Sequence, residues 1–476
     1  MKKRASRECE ASRRRFLKTS LAASVGLLVL PRTYLFGSQT PPSRRITIAQ
    51  IGCGRMGMDD MRGTMKHDLC RMVAVCDLDS KRLERARAEV EQYYLGKGES
   101  RVEVKAYRDY RELLARPDID AVIVTPPDHW HALVALEAVL AGKDLHVQKP
   151  LTYDIAEAIA LRTAVRAKKR ILQTGSQQRS SKPWNTFRVA SEAVRNGRIG
   201  QVKVVRIGIG QDQPKGKAPA PQPVPPTLDY ETWLGPAPQQ PYMEDRVHPQ
   251  DGYGRPGWIT TEDFGLGMIT NWGAHHVDIA HWGMGMELSG PTQIEARATF
   301  MTNDVWTVHH TYHVEMAYPN GVLLVMDNTY PNGVRWEGTD GWVFCARGAE
   351  QVTSSDPNVK DAKAQKRKAL EASDERILTA PFRPADKRWP ASDDHYLNWL
   401  QAIVRREDPI APVDQAARSL EACAAAWIAM KLGRKLTWDP VKEQFTNDAE
   451  ANRMCARAPR SAQYDIALVM KKAGLA

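Results

Sequence analysis

Long apolar runs are missing from this sequence, and the one near the N-terminus, Leu21–Leu30, has about ten residues where a membrane-crossing helix needs roughly 20. No C-x-x-C pair occurs among the seven cysteines, at positions 9, 53, 70, 76, 345, 423 and 455, which argues against a zinc ribbon, a redox dithiol or a disulfide framework. Several lie in apolar surroundings, as Cys76 does in Met72–Cys76, and read as buried free thiols. An arginine-rich, aromatic-interleaved stripe is also absent. The formal charge is +11, but residues 1–38 carry nine Lys/Arg against Glu8 and Glu10, a net +7, so only +4 is left for the remainder. Nucleic acid is therefore not an expected partner. With 42% hydrophobic and 26% charged residues over 476 positions, the chain can bury two domain cores.

The basic excess has a local explanation. Ser12-Arg13-Arg14-Arg15-Phe16-Leu17-Lys18, then the short apolar run and Pro31, has the layout of a signal peptide over residues 1–38. It resembles the twin-arginine consensus at every position. The expectation is export in folded form by the twin-arginine machinery, to the periplasm or to a membrane tether facing it. No clean Ala-x-Ala precedes residue 40, so cleavage stays open.

Beyond the leader, Arg45–Ile51 is a β-branched run ending in Gly52-Cys53-Gly54-Arg55-Met56-Gly57. Strand, Gly-x-Gly-x-x-Gly and helix form the dinucleotide fingerprint: one glycine for the turn, one for backbone approach to pyrophosphate, one for helix–strand packing. A second strand, Met72–Cys76, ends in Asp77, twenty residues past the last glycine, where a carboxylate meets the adenosine ribose hydroxyls. NAD is favoured over NADP, with Lys81 and Arg82 near enough to keep NADP open. Strands and helices go on alternating through Ala121–Val124, then Thr125-Pro126-Pro127-Asp128-His129-Trp130-His131 opening a helix, then Asp144–Val147 ending at Gln148-Lys149-Pro150. This is a doubly wound parallel sheet, a Rossmann domain placed at residues 44–170.

The strand end Gln148-Lys149-Pro150-Leu151 and the preceding Pro-Pro-Asp-His-Trp-His turn resemble the glucose–fructose oxidoreductase / inositol dehydrogenase / MocA (Gfo/Idh/MocA) family. So do Gly175–Arg179, Leu228–Pro236, Gly267–Asp278 and, for an exported branch, Lys435–Pro440. The resemblance implies a C-terminal α/β domain with a large, mostly antiparallel open sheet, here residues 171–440, followed by a tail at 441–476. It implies tightly held NAD, a sugar, polyol or glycoside substrate, and a homodimer or homotetramer. It assigns Lys149 to nicotinamide and substrate hydroxyl, and His275 to acid/base work within Asn271-x-x-x-His275-x-x-Asp278. Gln148 and Asn271 stand where the family has Glu and Asp. Lys149 is thus expected to lack one carboxylate neighbour, which would leave its pKa lower than with the acid present.

The chemistry expected is hydride transfer at a carbinol carbon, with His275 as base, Lys149 stabilising the alkoxide and Asn271 orienting substrate or lysine. Thr125, Pro126 and His129 are expected on the cofactor, beside Gly52, Gly54, Arg55, Met56, Gly57, Asp77, Gln148 and Lys149. Arg179, Trp184, Asn271, His275 and His276 are expected at the substrate. The bland alternatives are a structural histidine at 275 and mere helix capping by Trp130 and His131. No metal is expected, since His275, Asp278 and His281 would fan too widely round a helix. Residues 211–241, rich in Pro and Gln, read as a surface excursion, and residues 355–376 as an exposed helix or loop. Two other functions stay open: an NAD-dependent glycosidase with no net redox, and a binding protein whose catalysis has lapsed.

Overall fold

Six short β-branched segments, each feeding a helix, set up the first sheet. The computed structural model describes residues 45–212, 220–254, 256–303, 305–348 and 368–475, so the leader expected at 1–38 lies outside the described residues. Strands β1 (Ile46–Ile51), β2 (Cys70–Cys76), β3 (Lys105–Tyr107), β4 (Ala121–Val124), β5 (Asp144–Val147) and β6 (Leu172–Thr174) lie in the order β3-β2-β1-β4-β5-β6. All pairs are parallel, with Ile48 opposite Ala121 and Val124 opposite Val147. Every residue of β4 and β5 is buried, as expected of central strands covered on both faces. Because β6 pairs with β5, the parallel sheet runs past residue 170.

Helices α1 (Arg55–Met65), α2 (Ser80–Gly96), α3 (Asp128–Leu140) and α4 (Ile155–Ala167) make the crossovers. Asp79 and Asp154 cap α2 and α4 by accepting from the backbone N–H of Lys81 and Glu157. The N-cap of α1 is Gly54, which has no side chain to offer, so the first-turn N–H groups of α1 face the crevice above the strand ends.

The second sheet has nine strands in the order β13-β12-β11-β7-β10-β9-β8-β14-β15. They are β7 (Val202–Gly208), β8 (Gln293–Phe300), β9 (His309–Ala317), β10 (Leu323–Asp327), β11 (Gly333–Gly338), β12 (Trp342–Cys345), β13 (Leu370–Ala372), β14 (Leu436–Asp439) and β15 (Gln444–Phe445). All neighbours are antiparallel except β7 and β10. Along β8 and β9 one face is buried at Ile294, Ala296, Val314 and Met316, while Glu295, Arg297 and Glu315 are exposed on the other. The buried face is covered by α5 (Ser181–Arg195) and α6 (Gly273–Met284), while α7 (His395–Arg405) leans on α1 of the first sheet. Helix α8 (Val413–Leu432) serves both cores: Val413, Ala417 and Leu420 pack in the first, Cys423, Trp427 and Met430 in the second.

Two readings of loops change. Leu228, Tyr230, Trp233 and Leu234 of the 211–241 excursion form a small buried core with Tyr242, Val247 and Phe264, because its aromatic residues outweigh its prolines. Within 355–376, residues 370–372 add the edge strand β13; positions 355–367 lie outside the described residues. The tail carries β15 and binds back through Arg457, whose guanidinium donates to Glu157 at 2.6 Å. The six described cysteines are all free thiols, five of them buried.

Candidate active site

Each glycine of the fingerprint meets a different constraint. Gly52 has φ +87°, and a Cβ there would stand 2.6 Å from the Thr125 carbonyl. At Gly57 a Cβ would stand 2.0 Å from Gly52 O, so helix and turn touch only because it is absent. A Cβ at Gly54 would meet nothing within 4 Å: it would project into the crevice. An open approach beside uncapped helical N–H groups fits a pyrophosphate.

At the end of β2 the Asp77 carboxylate accepts from Cys53 N–H at 2.6 Å and Asp79 N–H at 2.8 Å, which holds it at the crevice edge. Burial raises its pKa, and these bonds oppose the rise. Lys81 and Arg82 are committed elsewhere. Lys81 reaches Gln250 O and Asp251, and Arg82 donates to Pro249 O at 2.9 Å and lies over the Tyr253 ring. Their loop belongs to a strap drawn over the β2–α2 turn. Ser80 N–H donates to Thr227 O at 2.9 Å, Asp229 N–H to Leu78 O at 3.1 Å, and His248 Nε2 lies 3.0 Å from Asp79 Oδ2.

One continuous cavity of about 990 Å³ runs from this cradle to the helical face of the second sheet. Gly52, Gly54, Arg55, Met56 and Asp77 line one end, Thr125, Pro126, Gln148 and Lys149 its middle, and Trp184, Asn271 and His275 the far end. Lys149, just past β5, donates from Nζ to the backbone carbonyl of Asn271 at 3.1 Å, so Asn271 meets the lysine through its main chain. His275 is 5% exposed, and its Nδ1 has no hydrogen-bond partner among the described residues. Burial, then the Arg347 and Lys149 cations, hold its pKa well below the usual histidine range, so the ring is neutral.

Three expected contacts fall away from the cavity. Arg179 is buried and makes a two-armed ion pair with Asp278, Nε–Oδ2 and Nη2–Oδ1 both 2.7 Å, inside the fold rather than on a substrate rim. His276 turns to the sheet side of α6, where Nε2 meets Asn332 Oδ1 at 2.5 Å and Nδ1 faces the Gln178 amide. His129 points away from the cofactor cradle, its Nε2 2.9 Å from Trp233 O and its ring packed on Phe264; its neighbours Trp130 and His131 line the cavity instead. Gly57 acts through packing, as its clash shows.

Other cavity residues carry no sequence motif. Arg347, past the end of β12, is clamped between the Trp184 and Trp272 rings at 4.2 and 4.4 Å, with Nε donating to Gln178 at 3.0 Å. Tyr396 arrives on α7 and donates to Asp60 Oδ1 at 2.7 Å. Their chain distance from the fingerprint hides them; an isolated Arg or Tyr has no spacing to betray it. Among the described residues no cluster of three or more His, Cys, Asp or Glu is placed to hold a metal ion, and no helix is long and apolar enough to cross a membrane.

Residues 46–176 match the oxidoreductase family, NAD-binding Rossmann fold, and residues 213–373 with 382–466 match the C-terminal alpha/beta domain of the same family. The chain belongs to the Gfo/Idh/MocA oxidoreductases. Its cofactor is NAD, and both of its domains have the fold of that oxidoreductase family. Over 123 residues it is 32% identical to "Glycosyl hydrolase family 109 protein 2" of Shewanella sp. (strain ANA-3), a match spanning 26% of each chain. It is 30% identical over 183 residues to the myo-inositol 2-dehydrogenase of Thermotoga maritima, covering 38% of this chain and 47% of that one. These stretches are well under two thirds of either relative. Among solved structures, the WlbA dehydrogenase from Bordetella pertussis, in complex with NADH and UDP-GlcNAcA, superposes with a TM-score of 0.58 at 16% identity, over 83% of this chain and 99% of that one. At that identity the likeness is one of fold.

Proposed function

We propose that this protein transfers hydride between resident NAD and one carbinol carbon of a sugar, polyol or glycoside. The observation carrying this reading is the meeting of Lys149 and His275 in the same cavity as the dinucleotide cradle. NAD, when bound, supplies the hydride acceptor or donor. Lys149 Nζ, oriented by Asn271 O, hydrogen-bonds the carbinol oxygen and stabilises the negative charge that grows there. The neutral His275 imidazole accepts the carbinol proton at a ring nitrogen; the negative charge growing on the carbinol oxygen offsets the Arg347 and Lys149 cations that, after burial, hold the ring uncharged. Trp184 and Trp272 hold the Arg347 guanidinium between their rings in the cavity lining, within reach of a sugar's hydroxyls. The strap from Thr227 to Gly252 covers the adenosine end and favours a cofactor retained between turnovers. Retention suits the export that the Ser12–Lys18 motif supports, and the uncovered sheet face suits a homodimer or homotetramer.

The test is mass and absorbance analysis of the full-length protein after denaturation, followed by turnover on a sugar and glycoside panel. Release of about one NAD(H) per chain, with a carbinol substrate that changes the bound redox state, is the expected result. A protein that arrives empty and takes up neither NAD nor NADP overturns the reading and leaves a binding role. The glycosyl hydrolase family 109 relatives favour one second reading, oxidation followed by elimination, hydration and re-reduction. Glycoside cleavage without net NADH would single it out.

A further inference from the structure

Resting on the NAD reading above, we propose that Asp60, behind the cavity wall, is a fixed counter-charge that biases the site toward oxidised nicotinamide over reduced.

Asp60 sits on α1 with no exposed surface. Gln148 Nε2 donates to both its oxygens at 3.1 and 3.0 Å, Tyr396 Oη to Oδ1 at 2.7 Å and Thr125 Oγ1 to Oδ2 at 3.2 Å. The three donors come from the ends of β5 and β4 and from α7, and none is a cation. Among the described residues Asp60 makes no ion pair. Burial raises its pKa, the three hydrogen bonds pull against that rise, and the balance of the two is about 6, on the ionised side of neutral pH. A buried anion held only by neutral groups is costly, and the fold pairs other buried carboxylates, Asp278 and Glu157 among them, with arginines.

The position of this anion gives it a partner. Gln148, Thr125 and Tyr396 all line the cavity, on the β4–β5 side. With the adenosine ribose at Asp77 and pyrophosphate at the start of α1, a dinucleotide lays its nicotinamide half across β4 and β5. Oxidised nicotinamide carries a positive charge and reduced nicotinamide does not. An anion behind that wall therefore stabilises one redox state and is indifferent to the other. Its three donors all belong to the wall, so the charge is fixed in place before the cofactor arrives.

The experiment equilibrates the full-length protein with equal concentrations of NAD+ and NADH and measures the ratio retained. Asp60→Asn should shift the bound ratio toward NADH by roughly tenfold, the scale of a unit charge acting across a partly buried site. Asp60→Glu, which keeps the charge, should restore it. Should Asp60→Asn fail to fold, Tyr396→Phe carries the test: losing one donor makes the anion less stable and moves the ratio the same way by a smaller factor. A structural tie alone would weaken both forms equally and leave the ratio unchanged in these variants, which overturns the proposal. A wild-type protein that retains neither form defeats the NAD reading instead.

Discussion

Arg179 grips Asp278 with two hydrogen bonds of 2.7 Å, and Ser419 Oγ adds a third contact to the same carboxylate at 3.3 Å. The pair joins the segment after β6 to helix α6, so it fixes how α6 presents His275 to the cavity. Removing one partner strands a buried charge. Arg179→Met should destabilise the fold by about 3–5 kcal/mol in urea unfolding. A stable variant with a raised KM alone would return Arg179 to the substrate rim.

Lys149→Met should lower kcat by about 10²–10³-fold, the scale of losing one preorganised oxyanion donor. His275→Ala should fall in the same range for a lost general base. Both should still release NAD(H) on denaturation, since the cradle is built from other residues. Turnover and bound-cofactor content, measured on the same sample, check this.

Gly54→Ala and Gly57→Ala should part company. At position 54 the new methyl meets no protein atom, so the melting temperature should hold while NAD retention drops, because the methyl occupies the approach to the crevice. At position 57 it would stand 2.0 Å from Gly52 O, so the fold itself should lose about 1–3 kcal/mol or more. Thermal melts with and without added NAD separate the two.

Acid should destabilise the protein below pH ~6.5. Eight buried histidines (129, 131, 146, 275, 276, 281, 309 and 395) have pKa values lowered chiefly by burial. The unfolded chain takes up protons at these sites as pH falls through about 6.5, while the folded chain resists, so stability is lost. Five carboxylates, Asp60, Asp77, Asp154, Asp263 and Glu421, are raised and work in the opposite direction. His313, where burial is outweighed by hydrogen bonds to Asp327 and Glu315 that raise its pKa, works with the carboxylates. The eight lowered histidines still outnumber these six groups, so the melting temperature should fall between pH ~6.5 and ~5. A rise over that interval would contradict the burial of these rings.

The Rossmann half could be read from sequence because its determinants are local. Gly52 to Gly57 and Asp77 are tied to the ends of two short strands, and spacing alone sets their roles. The second half is legible where apolar residues alternate with polar ones or run together between turns, at β8, β9, β10 and β12, and resists reading elsewhere. Strand β7, near the centre of its sheet, mixes Lys203 and Arg206 with Val205 and Ile207 and shows no strong signal, though β10 and β11 both pair with it. His275 and His276 are adjacent on a helix buried on all sides, so burial periodicity does not say which one faces the cavity, and only the resemblance to the family motif singles out His275. Asn332, 56 positions from His276, settles it. Asp60 looks like one more polar residue after the fingerprint until α7 brings Tyr396 against it from 336 positions away. Where an adjacent pair is symmetric in sequence, or a partner is distant, tertiary packing alone decides.

Helix α8 divides its twenty residues between two cores. Swinging the two sheets apart would strip Ala417 and Leu420 from one or Cys423, Trp427 and Met430 from the other, exposing several large side chains at about 1.5–3 kcal/mol each. The helix therefore acts as a rivet rather than a hinge, and widening the gap between the two sheets would cost that burial. Any ligand then reaches the cavity by movement of side chains at its mouth more cheaply than by movement of the sheets.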